Sequence, residues 1–249
     1  MSTRIRCRAV FLDAGGVIVL PDRDLLARAL SEAGIEIDPA AVPRAHYRAV
    51  GAMDRAMDRA LDRSATATAT PGYAAALFPQ LGILPGRSAE ALAVWERLAD
   101  RRRSGHVLWS EPVRGARVLI DRLRGAGIAA VVVTNSDGHG EENLRASGFA
   151  DIPVIDSSVV GVAKPDPGIF EIALARAAQL AGAPILAAEA VHIGDTLTTD
   201  IAGAHAAGIT PVHLDPLRAC RASDHLHART LLGVWRHVAP PALGKKLGL

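Results

Sequence analysis

Short apolar runs alternate with helical stretches along much of this chain, and this alternation constrains its fold more than any other feature. The runs are too short for helices and are rich in Ala, Val and Ile, which is typical of strands buried on both faces of a sheet. Helices between successive strands indicate crossovers, so we predict an α/β fold with a doubly wound parallel sheet. The predicted strands lie at residues 9–12, 128–133, 153–156, 190–193 and 211–214, and a last helix is predicted at residues 224–237.

The stretch from residue 21 to residue 106 departs from this alternation, because it contains helical patterns and no convincing strand. Met53, Met57 and Leu61 recur every four residues and form one stripe on a helix. We therefore predict a core domain at residues 1–20 and 107–249, with an inserted all-helical domain at residues 21–106. Within the insert, the predicted helices cover residues 24–33, 40–63, 71–81 and 88–103, and residues 64–70 are predicted to form a loop.

Composition and charge exclude several classes of protein. The 249 residues include 28 Lys and Arg against 26 Asp and Glu, so the net charge of +2 gives no reason to expect a nucleic-acid partner. No apolar stretch approaches the length of a membrane span, and the N-terminus does not have the pattern of a signal peptide. Cys7 and Cys220 form no disulfide framework or metal-ligand spacing. We predict a cytoplasmic protein that is a monomer or a homodimer and has no membrane partner.

The polar residues at the ends of the predicted strands carry coherent chemistry. In an open parallel sheet, ligands bind beyond the carboxyl ends of the strands. Asp13 and Asp195 are hard oxygen ligands that are able to share a Mg²⁺ ion. Lys164 and the Thr134 hydroxyl are suited to bind the charge of an anionic substrate. A carboxylate that attacks phosphorus forms an aspartyl-phosphate, and Asp200 adds a third carboxylate at the same edge of the sheet.

Four motifs, in this order, resemble those of the haloacid dehalogenase superfamily, whose members are mostly phosphatases. The motifs are VFLDAGGVIV with Asp13, VVVTNS with Thr134, GVAKPDPGIFEIAL with Lys164, and VHIGDTLTTDIAGAHAAGI with Asp195 and Asp200. Together they extend from residue 11 to residue 209. The resemblance implies a Rossmann-like core and, between the first two motifs, a helical cap of the C1 type.

The resemblance also implies a role for each matching residue. Asp13 is the expected nucleophile and a metal ligand, Gly15 contributes a main-chain carbonyl to Mg²⁺, and Asp195 is a further metal ligand. Asp200 is expected to hold Lys164 or metal-bound water. The expected catalytic residues are Asp13, Thr134, Lys164 and Asp200, the expected substrate-binding residues are Thr134, Asn135 and Lys164, and the expected metal ligands are Asp13, Gly15 and Asp195.

One position departs from the phosphatase pattern. The family's phosphatases carry a second Asp two residues after the nucleophile, which protonates the leaving group and then activates water. In this chain that position is Gly15. The metal ligand at this position is a main-chain oxygen and survives the change, but the proton shuttle does not. General acid–base catalysis contributes roughly 10²–10⁴-fold to the rate. The motifs therefore indicate the family more firmly than they indicate the reaction.

Several outcomes of this departure stay open. One outcome is a slower phosphatase, or a phosphatase whose leaving group needs little protonation, as with an anomeric phosphate or a mixed anhydride. Another outcome is a replacement acid, and a third is other chemistry on the same scaffold. The phosphonate-cleaving and dehalogenase branches fit less well, because the cap contains no Lys and Gly15 is not aromatic. The candidates for a replacement acid are Asp22, Asp24, Asp137 and His139.

We therefore expect a Mg²⁺-dependent hydrolase, a phosphatase of a small phosphorylated metabolite that acts through an aspartyl-phosphate on Asp13. The alternative is a catalytically weak or inactive relative that binds a ligand or a partner. The nine His show no metal-ligand pattern along the sequence. His192 is interpreted as a satisfied core residue, and His225, His227 and His237 as surface residues.

Overall fold

The core of the protein is a six-stranded, all-parallel sheet. The computed structural model describes residues 4–62, 72–100 and 105–240, without the side chains of residues 58–62. The strand order across the sheet is β6-β5-β2-β7-β8-β9, which confirms the predicted α/β fold. The strands are β2 (Ala9–Leu12), β5 (Ala129–Thr134), β6 (Val154–Asp156), β7 (Ala190–Gly194), β8 (Thr210–Leu214) and β9 (Leu226–Ala228).

Strand β2 lies at the centre of this sheet because it is apolar on both faces. All four of its residues are buried, as a strand between two helical layers requires. Leu12, its last residue, pairs with Val132 of β5 and with Ile193 of β7. The carboxyl ends of the three central strands therefore lie at one edge, where the polar residues that follow them meet.

Helices cover both faces of the sheet. One apolar layer contains Val10 and Leu12 of β2, and the other contains Ala9 and Phe11, as expected from the two-residue period of a strand. The helices of this part of the chain are α5 (Ala116–Gly125), α6 (Gly140–Ala146), α7 (Ser157–Val160), α8 (Gly168–Ala181), α9 (Ala202–Ala206) and α10 (Leu231–Val234). A π-helical turn, Leu197–Ile201, precedes α9.

Four further helices lie between two short antiparallel strands, β3 (Val19–Pro21) and β4 (Trp109–Pro112). They pack around an apolar cluster of their own, which includes Leu26, Leu77 and Phe78. The described residues of this stretch contain only helices and turns, and we call it the cap. Its helices are α1 (Arg23–Glu32), α2 (Val42–Asp62), α3 (Tyr73–Gln80) and α4 (Ser88–Ala99).

The last helix predicted from the sequence, at residues 224–237, is wrong. Strand β9 and the short α10 occupy half of that range, because β9 adds to the parallel sheet beside β8. A small parallel pair, β1 (Ile5–Arg6) with β10 (Val238–Ala239), ties the two ends of the described chain together. The predicted loop at residues 64–70 and the end of the predicted helix at 88–103 lie outside the described residues. Among the described helices, none is both long enough and apolar enough to span a bilayer.

Candidate active site at the carboxyl edge of the sheet

Lys164 connects two carboxylates at the centre of this edge. Its Nζ donates to Asp13 Oδ1 at 2.7 Å and to Asp200 Oδ1 at 2.6 Å. The Lys164 side chain is only 2% exposed, whereas the Asp13 side chain is 13% exposed and faces the cavity above the sheet. A buried ammonium needs such partners because its desolvation is costly. Lys164 therefore neutralises the acidic cluster and orients Asp13.

Asn135 fixes the backbone of Lys164. Its Nδ2 donates to the carbonyl of Lys164 and its Oδ1 accepts from the Lys164 amide, both at 2.8 Å. This reciprocal pair uses both ends of the Asn135 amide, so its described polar contacts are to Lys164 and not to Asp13. Thr134 ends β5 as a buried residue, and Thr134 and Asn135 both line the cavity.

Asp200 is held on every side by hydrogen bonds. His192 Nε2 lies 2.9 Å from Asp200 Oδ1, and the Thr196 amide and hydroxyl donate to Oδ2 at 3.1 and 2.6 Å. The chain makes room for this carboxylate at Gly194, where an added Cβ would lie 2.2 Å from Asp200 Cβ. His192 is fully buried, as predicted for a core residue, and this contact satisfies its Nε2. Asp200 thus acts through Lys164 and has little capacity left for another ligand.

Burial and charge shift the pKa values of this cluster in different directions. Desolvation raises the pKa of Asp13 to about 7, although Lys164 pulls it down. Burial would also raise the pKa of Asp200, but Lys164 and the hydrogen bond from His192 hold it well below its usual range. Desolvation lowers the pKa of Lys164, and the charges of Asp13 and Asp200 outweigh it and raise that pKa. The proton therefore belongs on Lys164, and Asp13 is the carboxylate that needs further positive charge.

The acidic cluster has the donor set of a hard-cation site. Carboxylate oxygens of Asp13, Asp195 and Asp200 lie within 4.8 Å of one another. Both oxygens of Asp200 are engaged by Lys164, His192 and Thr196. Asp13 and Asp195 each have one engaged oxygen, so Asp13 Oδ2 and Asp195 Oδ1 are the oxygens available to Mg²⁺, which prefers oxygen ligands. The residues present therefore fit the predicted ion.

The two glycines after Asp13 differ in what they permit. Gly16 has a φ of +71°, and a Cβ there would lie 2.0 Å from Asp195 Oδ2, so this position requires glycine. Gly15 has no such conformation, and a Cβ there would meet the Trp109 ring at 3.3 Å. The Trp109 ring therefore lies in the direction in which a side chain at position 15 would point.

The cap contributes a residue to the site that the sequence did not reveal. His46, on α2, is 2% exposed, and its Nε2 lies 2.8 Å from Asp195 Oδ2. Its Nδ1 lies 2.8 Å from the hydroxyl of Tyr73. The neighbouring Tyr47 donates to the carbonyl of Gly16 at 2.7 Å. A helix in the cap thus contacts both the predicted metal ligand and the turn after the predicted nucleophile.

Asp54 makes a second polar contact between α2 and the core. Its carboxylate accepts hydrogen bonds from the Leu197 amide at 2.9 Å and from the Thr198 amide and hydroxyl at 3.1 and 2.7 Å. Desolvation raises the pKa of Asp54, and these hydrogen bonds oppose that shift. One feature of the sequence could have indicated these contacts. His46, Val50 and Asp54 are spaced four residues apart, which puts them on one face of α2.

A cavity of about 510 Å³ lies between this edge of the sheet and the cap. Its floor is polar, and its upper wall is largely apolar, with Val50, Met53 and Met57 from α2 and Trp109 from β4. Among the described lining residues, Lys164 is the only Lys or Arg. The described part of the lining therefore combines one ammonium group and several carboxylates with an apolar wall.

The four replacement acids proposed from the sequence are not brought together at the cavity. Asp22 caps α1, where its Oδ1 accepts from the Asp24 and Leu25 amides. Of the four, Asp137 alone is among the described residues that line the cavity, and its Oδ1 accepts from the amide of His139. The structure gives Asp22 a local role and leaves Asp137 as the nearest of these carboxylates to the site.

The chain thus combines a parallel α/β core, a helical cap and an acidic cluster at the carboxyl edge of the sheet. A family model described as a haloacid dehalogenase-like hydrolase matches residues 7–208. The chain therefore belongs to the haloacid dehalogenase-like hydrolases, as the four motifs indicated.

Curated relatives share shorter stretches with the chain. The haloacid dehalogenase-like hydrolase domain-containing protein 3 of Mus musculus is 34% identical over 99 residues, which are 39% of this chain and 37% of that protein. The ribulose-1,5-bisphosphate 5-phosphatase of Halopiger xanaduensis is 30% identical over 142 residues, which are 55% of each chain. The matches thus span about half or less of these relatives.

Solved structures share the fold over almost the full length. The putative HAD-hydrolase YfnB from Bacillus subtilis, bound to magnesium, has a TM-score of 0.62 and 21% identity, and the match covers 93% of this chain and 98% of that one. A HAD phosphatase from Thermococcus onnurineus has a TM-score of 0.51 and 20% identity, with 92% and 97% covered. At these identities the likeness supports the fold alone.

Proposed function

We propose that this hydrolase is a Mg²⁺-dependent phosphatase of a small phosphorylated metabolite and that Asp13 is its nucleophile. One observation carries the proposal. Lys164 holds Asp13 and Asp200 by hydrogen bonds of 2.7 and 2.6 Å at the floor of a cavity that Asp195 and Thr134 also line. A nucleophilic carboxylate, a fixed ammonium and a hydroxyl around one space are what transfer of an anionic phosphoryl group needs.

The reaction proceeds in two displacements on this arrangement. The Thr134 hydroxyl and Lys164 bind and orient the phosphoryl group, and a carboxylate oxygen of Asp13 attacks phosphorus. The bond from phosphorus to the ester oxygen breaks, and that oxygen leaves with the electron pair and takes a proton from water. A water molecule then attacks the aspartyl-phosphate, loses its proton to solvent, and releases inorganic phosphate and the free Asp13 carboxylate.

The predicted metal site completes the charge balance. Asp13 and Asp195 are the side chains that would hold Mg²⁺, with the carbonyl of Gly15 as a third protein ligand by family resemblance. The ion supplies positive charge that reduces the repulsion between a carboxylate and a phosphate. Asp200 acts as a positioning residue, because its contacts hold Lys164 in place.

The residues that line the cavity favour a substrate that has a single phosphoryl group and is otherwise largely apolar or neutral. Lys164 is the only Lys or Arg among the described lining residues, while Met53, Met57 and Trp109 offer apolar surface. The name of one relative is that of a bisphosphate phosphatase, and for this chain it supports the phosphatase class rather than the particular sugar. A cytoplasmic location and a monomeric or homodimeric state are part of the same proposal, and both cysteines are free thiols, which suits a reducing compartment.

Asp13→Asn tests the proposal. A panel of phosphate monoesters with Mg²⁺ should show turnover, and Asp13→Asn should lower kcat by at least about 10³-fold, since only binding and charge stabilisation remain. Asp121→Asn is the matched control, because it makes the same change on the exposed face of α5, outside the described cavity lining, and should retain activity. Turnover that survives Asp13→Asn would refute the mechanism. Phosphate-ester binding without turnover in the unaltered protein would favour the inactive, ligand-binding alternative.

A further inference from the structure

Three His and one Cys converge at the edge of the sheet next to the candidate active site. His213 lies on β8 and pairs in register with His227 on the neighbouring β9, and His225 lies two residues before His227 on the same face. The ring centroids of His225 and His227 are 4.6 Å apart, and those of His213 and His225 are 5.5 Å apart. Ligand atoms of His213, Cys220, His225 and His227, which we call the His/Cys cluster, lie within 4.8 Å of one another.

Each His of the cluster has one ring nitrogen bonded to an acceptor outside the cluster. His213 Nε2 lies 3.2 Å from the Asp195 carbonyl, and His227 Nε2 lies 2.9 Å from the Ala222 carbonyl. His225 Nδ1 lies 2.7 Å from Asp224 Oδ1. Carbonyls and carboxylates only accept, so these nitrogens carry the hydrogens. The lone pairs are therefore on His213 Nδ1, His225 Nε2 and His227 Nδ1, the arrangement found where outer acceptors fix metal-binding imidazoles.

His213 Nδ1 is a buried polar atom without a partner. The residue is 7% exposed, and no hydrogen bond reaches this atom within the part of the chain that the structure describes. A buried acceptor left unsatisfied destabilises the folded state. A cation bound by the His/Cys cluster would satisfy it.

The loop before β9 places the thiol. Asp215 accepts from the Ala219 amide at 3.0 Å and from the Cys220 amide at 2.9 Å, which folds residues 215–220 back on themselves. Cys220 Sγ then lies 3.6 Å from His225 Nε2. Tetrahedral zinc with Zn–S near 2.3 Å and Zn–N near 2.0 Å separates sulfur from nitrogen by about 3.5 Å. The observed separation matches that edge of a zinc tetrahedron.

We propose that His213, Cys220, His225 and His227 bind one Zn²⁺ ion as a closed, four-coordinate site. Three imidazoles and one thiolate are a ligand set that suits zinc and not Mg²⁺. On binding, the Cys220 thiol loses its proton to solvent and the imidazoles bind in their neutral form. The bound ion links β8 to β9 and to the loop at residues 215–225, because each of the three segments supplies a ligand. Through His213 it also braces the carbonyl of Asp195. This corrects the interpretation of His225 as a surface residue, since it is buried.

Zinc titration of the metal-stripped full chain tests the proposal. We expect one zinc per chain by elemental analysis, and a visible spectrum of tetrahedral Co²⁺ with a thiolate charge-transfer band when cobalt replaces zinc. A thiol reagent gives an independent readout near pH 8. Burial raises the pKa of Cys7 to about 11 and leaves it without exposed surface. Cys220 is therefore the thiol that reacts, and zinc should protect it.

Matched variants locate the ion. Cys220→Ser should remove the charge-transfer band, and His225→Asn should remove zinc from the protein. Asp13→Asn should retain zinc, because it alters only the predicted Mg²⁺ site. His205→Asn should also retain zinc; it tests the overlapping group of His205, Asp224 and His225. Circular dichroism of each variant shows whether it is folded.

Two results would overturn the proposal. One is an unaltered protein that takes up no zinc at micromolar free metal and gives Co²⁺ no thiolate band. The other is zinc that remains in folded Cys220→Ser and His225→Asn but leaves with Asp13→Asn or His205→Asn. None of these readouts requires turnover, so they are independent of whether the phosphatase proposal holds.

Discussion

Gly15 and Trp109 determine whether this site has room for a carboxylate that protonates the leaving group. The phosphatases that the chain resembles carry an Asp at the position of Gly15, and here the Trp109 ring lies 3.3 Å from where its Cβ would be. The tryptophan also contributes to the apolar wall of the cavity. A larger side chain at position 15 would therefore compete with the Trp109 ring for the same space.

Gly15→Asp should not by itself restore a proton shuttle. The new side chain would press on Trp109, at a cost of ~1–3 kcal/mol for overpacking. Gly15→Asp combined with Trp109→Leu removes the obstruction and should raise kcat for alkyl phosphates, with general acid catalysis contributing up to roughly 10²–10⁴-fold. Thermal melts and kcat for both variants, with Trp109→Leu alone as control, check this. Equal gains in rate from Gly15→Asp alone would contradict it.

Turnover should depend steeply on the leaving group. Without an acid beside the ester oxygen, that oxygen leaves as an anion, so its own pKa sets the barrier to bond cleavage. We expect aryl and acyl phosphates to be cleaved far faster than alkyl phosphates of similar size. The measurement is kcat/KM across a series of aryl phosphates of graded leaving-group pKa. A flat series would show that some residue does protonate the leaving group.

At the scale of elements, α2 is the part of the cap that meets the chemistry. His46, Tyr47 and Asp54 all lie on it, and each contacts a residue that belongs to a motif of the core. These contacts are polar and mutually satisfied, whereas the rest of the cavity side of α2 is apolar. Polar contacts from α2 therefore help to hold the cap to the core.

Asp54→Ala should loosen the start of the π-helical turn. A hydrogen bond to a charged group contributes ~1.5–3 kcal/mol, so the Leu197 and Thr198 amides should exchange with solvent at least about tenfold faster. Hydrogen exchange with mass spectrometry measures this directly. Glu96→Ala, which removes an exposed carboxylate from α4, is the control and should leave these amides unchanged. Unchanged exchange in Asp54→Ala would mean that this contact does not hold the turn.

The sequence predicted elements best where local pattern and tertiary context agree. The buried strands β2, β5 and β7 are continuous apolar runs, and the packed sheet requires that pattern. The predicted helix at residues 224–237 failed because β9 depends on pairing with β8, which is a long-range contact that local periodicity does not encode. His46 was missed for the same reason, because its partner Asp195 is distant in sequence. The members of the His/Cys cluster lie within 15 residues of one another, but only the pairing of β9 with β8 brings their rings together.

For the whole molecule, the acidic cluster makes stability dependent on cations. Asp13, Asp195 and Asp200 place three carboxylates within 4.8 Å, and Lys164 is the only Lys or Arg with a described contact to them. A cation that binds the folded state alone stabilises it by mass action, by about 2.7 kcal/mol at 100 times its Kd. Binding of the proposed Mg²⁺ to this cluster should therefore stabilise the folded protein.

Mg²⁺ should raise Tm by roughly 5–10 °C at such a concentration, since a chain of this size gains about 2–4 °C per kcal/mol. Asp195→Asn should abolish the shift, and Asp137→Asn should keep it. Differential scanning fluorimetry with and without Mg²⁺ measures both. A full shift in Asp195→Asn would show that the ion binds elsewhere.

The antiparallel pair of β3 and β4 has a consequence for how this protein can change. The chain leaves the core and returns to it through neighbouring strands, with Leu20 paired to Glu111, and the cap has an apolar cluster of its own. The cap can thus be lengthened, shortened or transplanted at this pair without breaking the sheet. Because His46, Tyr47 and Asp54 belong to the exchanged segment, a transplanted cap keeps this site only if its own residues restore their contacts to the core.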